Sequence, residues 1–128
     1  MNPVEATKYI LGKNNCLHPF RISRILALAE LICLEKYRKR ITSAKYIGGP
    51  GVFYIEGLKE ELLNDPCFAK IEKDHGCISY VCKETIELDK DARECLDEAI
   101  NIAEKLTDID LNDLVVKHKL YNKLVVQS

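Results

Sequence analysis

Three histidines, six cysteines, one glycine-rich turn and one dense basic segment are the parts of this chain whose residue types could do chemistry. A nucleophilic centre needs a Ser or Cys set beside a base, and a metal needs several ligands at defined spacing. Neither pattern is present. No two cysteines have the two-residue spacing of a zinc knuckle or a thioredoxin motif, and Cys16 with His18 has no second ligand pair at finger distance. His18 precedes a helix-starting Pro, His75 falls at a hairpin tip, and His118 lies on an apolar helix face, so each has a structural use. Gly48, Gly49, Pro50 and Gly51 could receive an anion at a helix start, but the Lys and Ser/Thr of a phosphate loop are missing, and the turn reads as a joint. Cys33 and Cys95 fall on apolar helical faces, where packing is their natural use. Glu60 and Glu61 read as a wet helical face. The expectation is a protein that is not an enzyme and holds neither metal nor cofactor.

Charge is the stronger signal. Residues 1–50 carry nine Lys/Arg against three acids, a net +6, and residues 51–128 carry ten against seventeen, a net −7. The excess is densest at Lys36, Arg38, Lys39, Arg40 and Lys45, which makes these five the candidate partner-binding residues, facing an acidic or phosphate-bearing surface. A solvated helix end is the plainer use of the same charges. The partner expected is another protein, with DNA secondary and no membrane.

Of the 128 residues, 47% are hydrophobic and 30% charged, which fits one folded, soluble domain over residues 1–128 and excludes a disordered chain. The apolar run from Ile25 to Leu34 is interrupted by Glu30 and falls short of the roughly 20 residues that cross a bilayer. The opening MNPVEATKYI lacks the pattern of a signal peptide, so the expected location is cytoplasmic. One Met, one Gln and no Trp beside many Lys and Glu lean toward a thermophile, where intracellular disulfides occur.

These residues need elements to position them. Asn2, Pro3 and Glu5 predict a helix over 3–11. Ile22, Ile25, Leu26, Ala29, Ile32 and Cys33 follow helical spacing, and Leu28, Leu31 and Leu34 make a second apolar side, predicting a central helix over 19–39. Val52, Ile55, Leu58, Leu62 and Leu63 predict a third helix over 51–64, weakened at Gly57 and stopped by Asn64 to Pro66. Apolar alternation then predicts a β-hairpin over 67–83 with a loop from Lys73 to Gly76, Gly76 being left-handed. That loop pairs residues whose numbers sum to 149: Cys67 faces Cys82 closely enough to bridge, Ala69 faces Tyr80, and Ile71 faces Ile78. Asp89 as N-cap starts a helix over 90–106, and Asp110 starts one over 111–124 whose inner side is Leu111, Leu114, Val115, His118 and Tyr121, before a frayed tail. The fold class is mainly α with one β-hairpin, a winged-helix-like domain with additional C-terminal helices. The two-sided apolar helix also raises a homo-oligomer as a reading.

The runs LEKYRKRITSAKY, GGPGVFYIEGL, LDKDARECLDEAI and DLNDLVVKHKLY resemble the Panacea, or SocA-like antitoxin, domain family. The matching features are a long apolar helix ending in a basic "Gr.It" segment, here Arg40 to Thr42, and a Gly-Pro pair, Gly49 with Pro50. A late helix with an acidic-Leu pair and a His is matched by Leu114 and His118. The resemblance covers about residues 18–122, with Arg38 standing near a customary Gly and a shorter stretch between Tyr46 and Gly49. It implies a non-enzymatic, mostly helical domain acting by protein contact, as an antitoxin or adaptor whose partner is a toxin or client. The architecture alone offers an alternative, a winged-helix DNA-binding transcriptional regulator. Its third helix, however, carries Glu56, Glu60 and Glu61 against Lys59, whereas DNA demands a cationic face.

Overall fold

Helix α2 (Pro19–Tyr37) is buried at every position from Ile22 to Cys33, the all-round burial its two apolar sides predict. The computed structural model describes residues 1–72 and 76–127. Around α2 lie α1 (Pro3–Lys13), capped by Asn2 accepting from the Glu5 amide, and α4 (Lys90–Ala103), capped by Asp89 accepting from the Ala92 amide. Ala92, Cys95, Leu96, Ala99 and Ala103 form the buried stripe of α4, which packs along α2. At that seam lie the free, buried thiols of Cys33 and Cys95. Burial raises both, Cys95 to about 12, and keeps them as unreactive packing groups.

Leu26 is fully buried in this seam of helices. Leu26→Ala is expected to cost about 2–5 kcal/mol, the lost transfer energy plus a cavity, as read by urea unfolding. A midpoint inseparable from that of surface variants would show that this face is not packed.

Four expectations are corrected by the structure. The first concerns residues 51–64, which do not form one helix. Phe53–Ile55 is a strand, β2, antiparallel to β1 (Tyr46–Gly48), and helix α3 is confined to Leu58–Asn64. Phe53 and Ile55 are buried while Tyr54 between them is exposed, so period two wins over the helical reading. Any side chain at Gly48 would run into the backbone of Val52 and Phe53, so only glycine closes this hairpin. Gly57, at φ 76°, ends β2 and stands at the head of α3 rather than in its middle.

The second correction is at the C-terminus. Thr107, not Asp110, caps α5 (Asp108–Val116), its hydroxyl accepting from the Asp110 amide at 3.2 Å. The helix then breaks, because His118 Nδ1 accepts the Leu120 amide at 3.0 Å and removes it from helical pairing. A short α6 (Tyr121–Leu124) follows, and Leu114, expected inside, is exposed.

The third is the tail, which is a strand and not a fray. Strand β5 (Val125–Gln127) pairs in parallel with β1, completing a sheet of order β2-β1-β5. The β-hairpin is therefore not the main β element: among the described residues there are two small sheets in a mainly α architecture.

The fourth is register. Strands β3 (Phe68–Ile71) and β4 (Cys77–Tyr80) pair Phe68 with Tyr80 and Ile71 with Cys77, so paired numbers sum to 148. Ala69 does not face Tyr80 and Ile71 does not face Ile78; Phe68 and Ile78 turn inward, and Ile71 is exposed. What changes is the face of β3: Phe68, not Ala69 and Ile71, packs beside Tyr80, with 5.7 Å between ring centres. The hairpin is also tied from outside. A disulfide joins Cys16 to Cys77, and Leu17 exchanges two backbone hydrogen bonds with Ile78, at 3.1 and 2.8 Å. Cys67 and Cys82 are nevertheless bridged, just beyond the ladder, with Cα atoms 5.0 Å apart. Gly76 is left-handed as expected, at φ 84°, while Lys73, Asp74 and His75 of the expected loop lie outside the described residues. Among the described residues no helix is long and apolar enough to cross a membrane.

Candidate functional site

The basic segment is held by an acid that the sequence shows only as an interruption. Glu30, in the middle of α2, has no exposure. Arg40 grips its carboxylate with Nε and Nη2, both at 2.8 Å. The amides of Ile41 and Thr42 donate to Oε1 at 2.7 and 3.0 Å, and the hydroxyls of Thr42 and Tyr46 donate to Oε2 at 2.8 and 2.9 Å. A buried carboxylate is tolerable only with such a full set of donors. Burial also pushes the Tyr46 phenol well above its ordinary pKa, so it stays a donor. The consequence is positional: residues 40–46 are clamped onto α2, and β1 starts from that clamp.

The other predicted contact residues are placed on this frame. Lys36 pairs with Glu98 at 2.7 Å and Lys39 with Asp91 at 2.8 Å, tying the end of α2 to α4. These partners raise the pKa of both lysines. Lys45 meets Glu56 at 3.8 Å, beside the first sheet. Arg38 alone carries no ion pair among the described residues; it is the left-handed C-cap of α2, at φ 57°. The five are neighbours along the chain, but four are answered by acids of the same chain.

The remaining candidates for chemistry are committed to structure. His18 Nδ1 caps α2 by accepting the Phe20 amide, and His118 caps the break after α5. In the glycine turn, the Gly49 amide donates to Val52, while the carbonyls of Gly49 and Gly51 accept from Tyr121 and Asn112. Among the described residues no group of three His, Cys, Asp or Glu is placed to hold a metal.

A different surface emerges from the corrected strands. The register aligns Tyr54, Ile47 and Val126 across β2, β1 and β5, and cross-strand partners share a face. Tyr54 is 57% exposed and Val126 52%, and Val52, one step along the alternation, is 64% exposed. Both outer strands lack a strand neighbour on their far side among the described residues. Lys45 and Glu56 stand at one end as a polar rim. Reading 51–64 as helix and the tail as frayed concealed this row; the alternation in Val52–Ile55 and the Val125–Val126 pair were the available signals. Compared with protein-family models, curated proteins and solved structures, the chain matches none of them.

Proposed function

We propose that this chain is a non-enzymatic protein-binding module of the antitoxin or adaptor kind, which contacts a toxin or client protein through the apolar row Tyr54–Ile47–Val126. The carrying observation is that row: apolar side chains presented on a short sheet whose outer strands pair with no further strand among the described residues, the arrangement used when a partner adds a strand or covers a face. The resemblance to the Panacea family supports the reading at two places. The Gr.It segment acts as the clamp on Glu30, and Arg38 occupies a left-handed position near where that family has Gly. The order α1, α2, α3 and then the β3–β4 hairpin supports a winged-helix-like reading with α4 to α6 added. Against DNA as the ligand, α3 has seven residues and carries Glu60 and Glu61 in its first turn. Two disulfides in a Lys- and Glu-rich chain fit a thermophile cytosol, the compartment we propose.

The test is retrieval from the source cell with the tagged full chain. Wild type is expected to retain one specific protein, and Tyr54→Lys with Val126→Lys to lose it about tenfold with unchanged melting, as a buried contact of this kind requires. Lys36→Ala, Arg38→Ala and Lys39→Ala together should retain it. Loss in this basic variant alone would return the contact to Lys36–Lys45. Submicromolar, sequence-selective duplex binding near physiological salt, with no protein retrieved, would establish the DNA-binding regulator instead. Retrieval of the chain only by itself would make the row a homo-oligomer contact.

A further inference from the structure

Helix α2 buries two opposite charges, and they are treated differently. Glu30 is fully answered, whereas Arg24, only 3% exposed, meets no carboxylate among the described residues. Its guanidinium sits over the rings of Phe20 and Phe53, 3.8 and 4.1 Å from their centres. Of its five N–H groups, Nε donates to Asn112 at 3.0 Å and one on Nη1 donates to Ser23 at 2.9 Å, leaving three without a partner among the described residues. Asp108, whose charge it feels, is engaged by Arg21 at 2.8 Å. Burial lowers the Arg24 pKa to about 10, so the group is still a cation at neutral pH. Arginine is seldom buried to this degree without an anion; here the two rings cover its faces, and Nη2, which has no partner, is not enclosed but keeps contact with solvent.

Beside it opens a cavity of about 160 Å³ between the start of α2, β2 and α3. Tyr54, Ile55, Leu58 and Leu62 make its walls apolar, Ser23 and Arg24 are its polar groups, and Lys59 lines it from the exposed face of α3. Lys59 too carries no ion pair among the described residues. Two cations without a carboxylate partner among the described residues, at the rim of an apolar cavity, suit an anion with an apolar body. The volume matches a single ring, since an apolar cavity of about 150 Å³ holds benzene, and the planar guanidinium fork suits a carboxylate. We propose that this cavity binds a small organic monocarboxylate with one aromatic ring or a branched aliphatic body. The carboxylate meets the unpartnered N–H groups of Arg24 and the Lys59 ammonium, and the body packs on Leu58 and Leu62. Tyr54 is common to this cavity and to the proposed protein-binding row, and the two readings are tested separately, because the titration contains no partner protein.

The experiment titrates the full chain with benzoate and follows backbone amide shifts. Benzamide serves as the uncharged twin and acetate as the anion without a ring. Saturable shifts are expected at Tyr54, Leu58 and Leu62 with benzoate, and affinity about tenfold weaker for benzamide, for acetate, and for benzoate with Arg24→Met. Lys59→Met, on an exposed side chain, should weaken benzoate a few-fold without changing the fold. Benzamide binding as tightly as benzoate, or no saturable shift at these residues, overturns the proposal and leaves Arg24 a packing residue. An unchanged benzoate affinity in folded Arg24→Met overturns it equally. Should that variant fail to fold, the benzoate and benzamide comparison on wild type with the Lys59→Met titration decides.

Discussion

Glu30→Ala is expected to remove about 3–5 kcal/mol of stability, the cost of breaking a buried ion pair by deleting one partner. The carboxylate is the acceptor for Arg40, for the amides of Ile41 and Thr42, and for the hydroxyls of Thr42 and Tyr46. Its loss leaves the Ile41 and Thr42 amides, the Thr42 and Tyr46 hydroxyls and Nε of Arg40 without this acceptor, while Nη2 of Arg40 keeps the Ala44 carbonyl at 2.7 Å, and each orphan carries its own desolvation penalty. Against a total stability of about 5–15 kcal/mol for a domain, the variant should be marginal at room temperature. Glu30→Gln keeps the shape but turns an NH2 group toward donors, so it should also destabilise. Because Arg40 and Glu30 act as a unit, Glu30→Ala with Arg40→Ala should cost less than the sum of the single changes. Urea unfolding of the four proteins measures this. A Glu30→Ala midpoint equal to that of surface variants would show that the clamp does not hold residues 40–46.

Removing the Cys16–Cys77 bridge should cost about 4 kcal/mol in the chain-entropy account, since it closes a loop spanning 61 residues. Cys67–Cys82, spanning 15, contributes about 3 kcal/mol on the same account. The larger bridge also has a structural effect. With the Leu17–Ile78 hydrogen bonds it ties β4 to the segment between α1 and α2. Cys16→Ser with Cys77→Ser should therefore lower the unfolding midpoint and expose the amides of β3 and β4 to hydrogen exchange before those of α2. Reductant should lower the midpoint of wild type further than that of the double variant, because it opens both bridges in one and only Cys67–Cys82 in the other. Equal midpoints for wild type and variant without reductant would remove the bridge from the stability of the fold.

The partner surface was legible only in part. The basic run from Lys36 to Lys45 stands out in composition, yet the acids that answer it, Glu98, Asp91, Glu56 and Glu30, lie 10 to 62 positions away in the chain. Glu30 itself carried a usable signal: an acid inside a helix apolar on two sides must find donors, and the Arg-Ile-Thr segment follows within one turn of the helix end. Arg24 posed the same question, and its lack of an answering acid could not be known before α5 and β2 were placed around it.

What the sequence determined by itself is everything whose cause is local. Asn2 and Asp89 cap helices with side chains three residues from the amides they accept, and the spacing of Ile22 to Cys33 places α2 at the centre whatever surrounds it. The Cys67–Cys82 bridge also belongs here, because a tight hairpin brings its two ends together in either register. The tertiary structure decided whatever depends on partners distant in sequence. Strand β5 exists because β1 offers it an edge, the β3–β4 register differs by one residue because Phe68, packed on Tyr80, takes the inner face of β3, and the basic segment folds inward because Glu30 lies beneath it. A three-residue strand or a single register step is nearly degenerate in local energy, so one strand edge, buried ring or buried carboxylate is enough to choose it.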